Sequence, residues 1–209
     1  MIWIAAAAKV TEPQSGHPPK TPMATSALQD TILDAWRTNN RVTTTLIGHL
    51  PDGLWDAKVP GMGPRTVRTI AAHLHNARSR WIKTLGSDHG IARPAMVDLR
   101  KATRRQVMTA LNRSSAGMES LLTLGFANGG RLPPSKGYVW QNLALDVGHV
   151  LTYFVAHEAH HRGQIVLAAR QIGIRLPQQV TNGLWWWKPT ARATVRPSGS
   201  SGVQTPGTP

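Results

Sequence analysis

The chain contains no cysteine among its 209 residues. This absence excludes disulfide bonds, thiolate-ligated metal sites and a catalytic thiol supplied by the protein itself. A metal ion bound here would therefore need ligands from histidine, carboxylate groups or water. Since disulfides are typical of oxidising compartments, their absence favours a cytoplasmic protein, and we expect that location.

Long hydrophobic runs and acidic residues are also scarce. No segment approaches the roughly 20 apolar residues that a transmembrane helix needs, and the apolar run at 1–8 lacks the basic start of a signal peptide. Only 10 residues are acidic against 24 basic ones, which gives a formal net charge of +14. This charge suits anionic partners, but the basic residues cluster densely only at 100–105. We therefore favour a solvated basic surface over a nucleic-acid partner.

Composition divides the chain into a leader at 1–24, a folded domain at 25–189 and a tail at 190–209. The leader becomes rich in Pro, Ser and Thr, and Met23 near its end is an alternative start of the protein. The tail consists mostly of Pro, Ser, Gly and Thr. Because neither segment can bury enough apolar surface to order itself, we expect both to be disordered.

Apolar spacing within the domain predicts four long helices, and no alternating pattern typical of a strand competes with it. The glycines and prolines that follow each segment are expected to end the helices. Four such helices imply an all-α fold, an antiparallel four-helix bundle with long connections and functional groups in its core. The predicted spans are 26–50, capped by Thr25 or Ser26, then 65–85, 103–124 and 140–172, with 180–187 as a short final helix or a packed aromatic segment.

The densest group of potential metal ligands lies at 157–161, where three histidines and a glutamate occur within five residues of the fourth helix. At about 100° per residue, His157 and His161 lie about 40° apart on the face that carries core residues, so both could bind one ion. Gln164 falls on the same face. Glu158 lies about 100° from His157, which predicts a rim position. There it is a candidate catalytic residue, a group that orients a histidine, or a solvated side chain.

The second helix offers a further histidine at the edge of its apolar stripe. His73 lies about 80° from the centre of that stripe and His75 about 120°, so His73 is expected to face inward and His75 the solvent. Asn76 and Arg80 follow His73 by three and seven residues and could line the same cavity, although Asn76 could equally form an ordinary interhelical hydrogen bond. Three imidazoles meeting in the core would leave one coordination position open for water or substrate.

A zinc metalloprotease is the obvious alternative, since 157–161 formally matches H-E-x-x-H. The extended form of that motif needs glycine and histidine where this chain has Gln164 and Leu167. No acidic residue follows Glu158 and no histidine follows His161. A third protein ligand must therefore lie upstream, which disfavours a protease and points to His73.

Two stretches, 72–81 and 157–164, together resemble the DinB/YfiT-like family. Their order and spacing agree with the family, as does the closing region at 183–185, and the resemblance covers about 26–187. It implies a four-helix bundle with one metal ion held by three histidines.

Carried over to this chain, the family's ligands are His73, His157 and His161, with His75 as an alternative to His73. Characterised family members are thiol-dependent S-transferases and isomerases that use low-molecular-weight bacterial thiols, while many others have no assigned reaction. Homodimers are common in the family.

These considerations lead to a mechanistic hypothesis. The cofactor is expected to be a divalent metal ion, zinc in the first place, with nickel, iron or manganese as alternatives. Such an ion lowers the pKa of a bound water or thiol. Since the protein has no cysteine, a thiol must arrive with a small-molecule cosubstrate. Arg80 or Arg162 could hold an anionic group of it, Gln164 could hydrogen-bond it, and Tyr153 is a weaker acid/base candidate.

Two function classes remain open from the sequence. One is a metalloenzyme, either an S-transferase or hydrolase-like; the other is a metal-binding module or sensor without turnover. The three tryptophans at 185–187 are expected to pack as a lid over the end of the bundle.

Overall fold

The computed structural model describes residues 22–139 and 141–188, and it describes side chains from residue 27 onward. The predictions of disorder for 1–24 and 190–209 fall outside the described residues except at 22–24, where the chain is helical and the prediction is wrong. All regular elements of the described part are helices, joined by loops, and they follow in chain order: α1 Pro22–Gly48, α2 Asp52–Trp55, α3 Val67–Gly86, a 3-10 turn Ser87–His89, α4 Arg104–Ala127, α5 Val147–Gln171 and α6 Gln178–Trp185.

The four long helices form a bundle, as the sequence predicts. Helix α1 packs against α4 and α5, and α3 packs against the same two helices, so the order around the bundle is α1, α4, α3, α5. The short α6 covers part of α1. The described residues contain no strand, only two isolated bridges, Lys58–Thr66 and Arg131–Asp146. None of the described helices combines the length and apolar character that crossing a membrane requires.

Local sequence explains where α3 and α4 begin. Thr66 caps α3, where its hydroxyl accepts a hydrogen bond from the Thr69 amide at 3.2 Å. Thr103 and Gln106 form a reciprocal capping box at the start of α4. Both starts lie within two residues of the predicted ones, because the capping side chains mark them directly.

The start of α5 was predicted wrongly. Its apolar residues suggested a helix from Trp140, but α5 begins at Val147. The Leu145 carbonyl accepts a hydrogen bond from the Leu132 amide at 2.8 Å, and the Val147 amide donates to the Gly130 carbonyl at 2.9 Å. Because these backbone groups pair with another segment, residues 141–146 stay outside the helix although Leu145 is buried.

The other helix ends also differ from prediction. Helix α1 begins at Pro22, so Thr25 and Ser26 lie inside it and not at its start. Helix α4 continues through Gly125 to Ala127. Gly125 is needed for packing, because a Cβ there would lie 2.5 Å from Cγ2 of Val147. The final helix α6 matches the short-helix alternative for 180–187, starting two residues earlier.

A buried polar layer divides the hydrophobic core into two halves. One half gathers around Leu46, Leu74 and Ile165, and the other around Trp36 and Phe154. Every long helix contributes polar side chains at the level between them. The buried members of this layer are Asn39, Thr43, Arg78, Ser114, Ser115, Glu158 and Arg162.

Candidate metal centre

Three histidines from two helices meet beside the polar layer. His73 projects from α3, and His157 and His161 project from successive turns of α5. Each offers one ring nitrogen, and these nitrogens all lie within 4.8 Å of one another. The Nε2 atoms of His157 and His161 are 3.2 Å apart. The ring of His73 lies 4.8 Å from that of His161 and 5.4 Å from that of His157, centroid to centroid.

This spacing fits a divalent metal ion. Two nitrogens bound to one zinc ion at about 2.0–2.1 Å and at tetrahedral angles lie about 3.3 Å apart. The His157 and His161 pair already has this separation, and a small side-chain movement would bring His73 to it. Three neutral nitrogen donors without a thiolate or carboxylate also suit zinc, nickel or iron. The three-histidine cluster can therefore hold a metal ion.

Gln164 sets the orientation of His161. Its Oε1 accepts a hydrogen bond from Nδ1 of His161 at 2.8 Å, and its Nε2 donates to His160 at 2.8 Å. A proton fixed on Nδ1 leaves Nε2 of His161 free to bind an ion. The sequence placed Gln164 beside the site on the helical wheel, and the structure places it in contact with His161.

Burial keeps the cluster neutral. His161 is 8 % exposed, and His73 and His157 are half-buried. Burial, followed by the charges of His161 and His73, lowers the pKa of His157 to about 4. Burial also lowers the pKa of His73 and of His161 below the ordinary histidine value. Neutral imidazoles are the form that binds metal, so the cluster is ready for an ion near pH 7.

Two cavities open onto the histidines. The larger has a volume of about 470 Å³ and reaches His73 and His157. The smaller, about 140 Å³, reaches His73 and His161. A small molecule in the larger cavity would therefore contact the open side of the cluster. The larger cavity is also lined by Ala77, Arg80, Trp81, Lys83, Thr84, Arg93, Asn142 and Tyr153.

Arg80, expected to line the same cavity as His73, and Tyr153, an acid/base candidate, both lie near the cluster. Both line the larger cavity. The Tyr153 ring stacks on His157 with an interplanar angle of 12° and a centroid distance of 6.1 Å. Tyr153 therefore supports one face of that ligand.

The prediction that Glu158 lies on a solvated rim is wrong. Glu158 is 0 % exposed and its carboxylate is fully used by α1 and α3. Arg78 donates to Oε1 at 2.6 Å and to Oε2 at 2.8 Å. Asn39 and Thr43 donate to Oε2 at 2.8 and 2.9 Å. Burial alone would raise the pKa of Glu158, but the charge and hydrogen bonds of Arg78 outweigh it and hold the pKa below its ordinary value.

The error lies in where the core face of α5 was centred. With His157 at zero, the buried residues Phe154, Glu158 and Ile165 lie at about 60°, 100° and 80° on the wheel. The core face is therefore centred on Glu158, and His157 lies at its edge. A charged group can occupy the core when it is paired there, as Glu158 is.

Arg162 belongs to the same buried cluster and not to a ligand site. Its Nη1 donates to Asn39 at 2.9 Å and to Thr43 at 2.7 Å, and it lies 3.7 Å from Glu158. The suggestion that Arg162 holds an anionic cosubstrate is therefore wrong. Arg78 was missed altogether. Its signal was a cationic residue four positions from Leu74 and Ile82, in the middle of an apolar stripe.

His75 and Asn76 anchor the loop between α3 and α4. His75 was expected to face solvent but is completely buried, and its Nε2 donates to the Ala95 carbonyl at 2.9 Å. Asn76 forms two hydrogen bonds with the backbone of Val97, each 2.9 Å long. Of the two neighbouring histidines, His73 is the one that joins the cluster. Asn76 holds the backbone and does not line either cavity described above.

The expected tryptophan lid is also wrong. Trp185 is 85 % exposed, and Trp186 and Trp187 are exposed as well. Helix α6 packs through Val180 and Gly183, whose absent Cβ would lie 3.0 Å from Thr45. This contact turns the tryptophans away from the bundle.

Comparison with known proteins identifies the family but supplies no individual relative. A family model described as the DinB family matches residues 23–192. No curated protein and no solved structure matches the chain. The matched span includes the whole bundle and all three histidines, so the chain belongs to the DinB family.

Proposed function

We propose that this protein is a metal-dependent enzyme that activates a thiol cosubstrate or water at an ion held by His73, His157 and His161. The observation that carries the proposal is the cluster itself: three neutral imidazoles face one point, and a cavity of about 470 Å³ opens beside it. Three protein ligands leave a coordination position open, an arrangement typical of catalytic sites.

When bound, a divalent ion would act as a Lewis acid that lowers the pKa of a thiol or water. The thiol alternative has more support. No carboxylate of residues 22–139 and 141–188 lines the larger cavity, and the carboxylate of Glu158, the candidate base, already accepts hydrogen bonds from Arg78, Asn39 and Thr43. A free thiol ionises near pH 8.5 and needs little help, whereas water needs much more. Since the chain has no cysteine, the thiol must come with the cosubstrate. We therefore favour S-transfer over hydrolysis.

The chain's own residues prepare the site. Gln164 fixes the tautomer of His161, and Tyr153 supports the ring of His157. The Glu158 cluster ties α5 to α1 and α3, which keeps His157 and His161 at a constant distance from His73. The saturation of Glu158 also removes the general base that the zinc-protease alternative requires.

The first test is metal binding by the purified full chain. We expect one divalent ion per chain, lost in His73→Ala and in His157→Ala. His149→Ala is the matched control, because His149 is exposed on the same helix as His157 and should leave the metal content unchanged. Full occupancy in both cluster variants would refute the three-histidine site.

The second test separates an enzyme from a metal-binding module. The metal-loaded protein is assayed with low-molecular-weight thiols and a set of electrophiles, following loss of the free thiol. We expect turnover that disappears in His157→Ala. A bound metal without turnover for any pair would support a non-catalytic module or sensor instead.

A further inference from the structure

Arginine and lysine side chains form one wall of the larger cavity without an acidic counterpart. Arg80 and Lys83 project from α3, and Arg93 comes from the loop that follows it. Within the described part of the chain, no aspartate or glutamate lines this cavity. Among the described residues, none of the three cations forms an ion pair, whereas Arg37 and Arg131, elsewhere on the surface, do.

The position of Arg80 ties this wall to the metal site. Seven residues separate it from His73, which is close to two helical turns, so both side chains lie on one face of α3 about 10.5 Å apart along the axis. Ala77 lies between them on the same face and lines the cavity with a small apolar side chain. The cavity surface between His73 and Arg80 therefore carries no bulky side chain from this face of α3.

Side chains of α3 hold the loop that carries Arg93. His75 and Asn76 bind its backbone at Ala95 and Val97, and Arg93 itself donates from Nε to the Ser79 hydroxyl at 3.3 Å. These contacts keep the third cation beside α3. Among the described residues, Arg93 donates no other side-chain hydrogen bond, so its remaining guanidinium nitrogens are available to a ligand in the cavity that Arg93 lines.

We propose that this wall, which we call the cationic wall (Arg80, Lys83 and Arg93), binds an oxyanionic group of the substrate or cosubstrate. The proposal rests on the proposed function, because it places the reactive end of the molecule at the histidines. The ligand class is then a small organic acid whose carboxylate or phosphate lies several ångströms from its reactive group. Trp81 and Tyr153 line the same cavity and offer apolar surface to the segment between the two ends.

Charge-assisted hydrogen bonds from guanidinium to an oxyanion are among the strong ones in proteins. Because the three side chains are exposed, salt screens part of their attraction. We therefore expect the wall to contribute about tenfold in affinity, a difference that falls as the ionic strength rises.

The test uses the metal-free protein first, so that its outcome does not depend on the ion. Hexanoate, hexyl phosphate and hexanol are titrated at low ionic strength and followed by NMR. We expect hexanoate or hexyl phosphate to bind about tenfold more tightly than hexanol, and the better of the two anions identifies the oxyanion. The double variant Arg80→Gln/Lys83→Gln should lose the preference. Arg170→Gln, which changes an exposed cation of α5 outside both cavities, should keep it.

The metal-loaded protein is tested next with 6-mercaptohexanoate and 6-mercaptohexanol, which differ only in the anionic end. We expect the acid to bind about tenfold more tightly, and the double variant to bind both equally. Equal affinities for the acid and the alcohol in the unaltered protein, or a preference that survives in the double variant, would overturn the cationic wall. Failure to bind metal would instead refute the proposed function and leave the metal-free result to decide this inference.

Discussion

His157 and Glu158 are neighbours in the chain, yet they belong to two different kinds of polar cluster. The histidine faces His73 and His161 and lines a cavity. One ring nitrogen from each of these three histidines lies close to the other two, and no acidic residue of the described chain joins the group. The glutamate faces the core, where its oxygens receive four hydrogen bonds and no surface is exposed. One turn of α5 therefore supplies both a site for a ligand and a site that is already complete.

The two clusters show that a polar group can bind a ligand when its partners are missing from the fold, and that its charge alone does not decide this. A buried carboxylate with two guanidinium partners is structural, because breaking the set leaves uncompensated charge in the core. In a cluster of neutral imidazoles whose nitrogens face one another, the nitrogens can be satisfied only by sharing protons or by binding an ion. The two clusters should thus respond differently to substitution.

The largest expected effect comes from Glu158→Ala. Removing the carboxylate leaves Arg78 and Arg162 buried without a negative partner, and we expect a loss of about 3–5 kcal/mol in the free energy of unfolding. Urea denaturation followed by circular dichroism measures it. Glu119→Ala is the matched control: Glu119 pairs with Arg37 at the surface, and its loss should cost about 1 kcal/mol or less. Equal losses in the two variants would show that the buried cluster is not structural.

Gln164→Leu should act on metal binding and hardly on stability. Without the hydrogen bond to Nδ1, His161 is no longer held in the tautomer that presents Nε2. Such supporting contacts are worth about 10–100-fold in metal affinity. Competition with a chelator measures the dissociation constant, and Gln171→Leu on the exposed end of α5 is the control. An unchanged metal affinity in Gln164→Leu would show that Gln164 does not orient His161 for metal binding.

The smallest effect is a pH dependence of the metal-free protein. Since the folded chain holds the pKa of His157 at about 4, below the ordinary value near 6.5, the unfolded chain takes up protons first. Stability is then complete above about pH 6.5 and falls as the pH drops toward 4. Melting temperatures across this range should fall less in His157→Ala than in the unaltered protein. Identical slopes would mean that His157 is not buried in the neutral form.

Periodicity was enough to predict the bundle and two of the three histidines of the cluster. Apolar spacing gives the helices, and a separation of four residues puts His157 and His161 on one face whatever the surrounding fold. His73 followed from the absence of any downstream ligand. These features depend on local geometry, which a single sequence contains.

The burial of His75 and Glu158 could not be predicted in the same way, because it depends on distant segments. Glu158 is buried by Arg78 from another helix, and His75 is covered by the loop that brings Ala95 to it. A helical wheel compares positions on one helix and contains no information about the partners that other segments supply. The start of α5 has the same cause, since pairing with Leu132 and Gly130 keeps the preceding apolar residues out of the helix.

The three-histidine site is tested most directly by a crystal structure of the zinc-loaded protein with anomalous scattering recorded at the zinc edge. We expect one strong peak, about 2.0–2.1 Å from a nitrogen of each of His73, His157 and His161. We also expect Glu158 to remain bound to Arg78. A peak elsewhere, a peak that lacks His73, or zinc ligated by Glu158 would contradict the division of α5 into a ligand-binding face and a structural face.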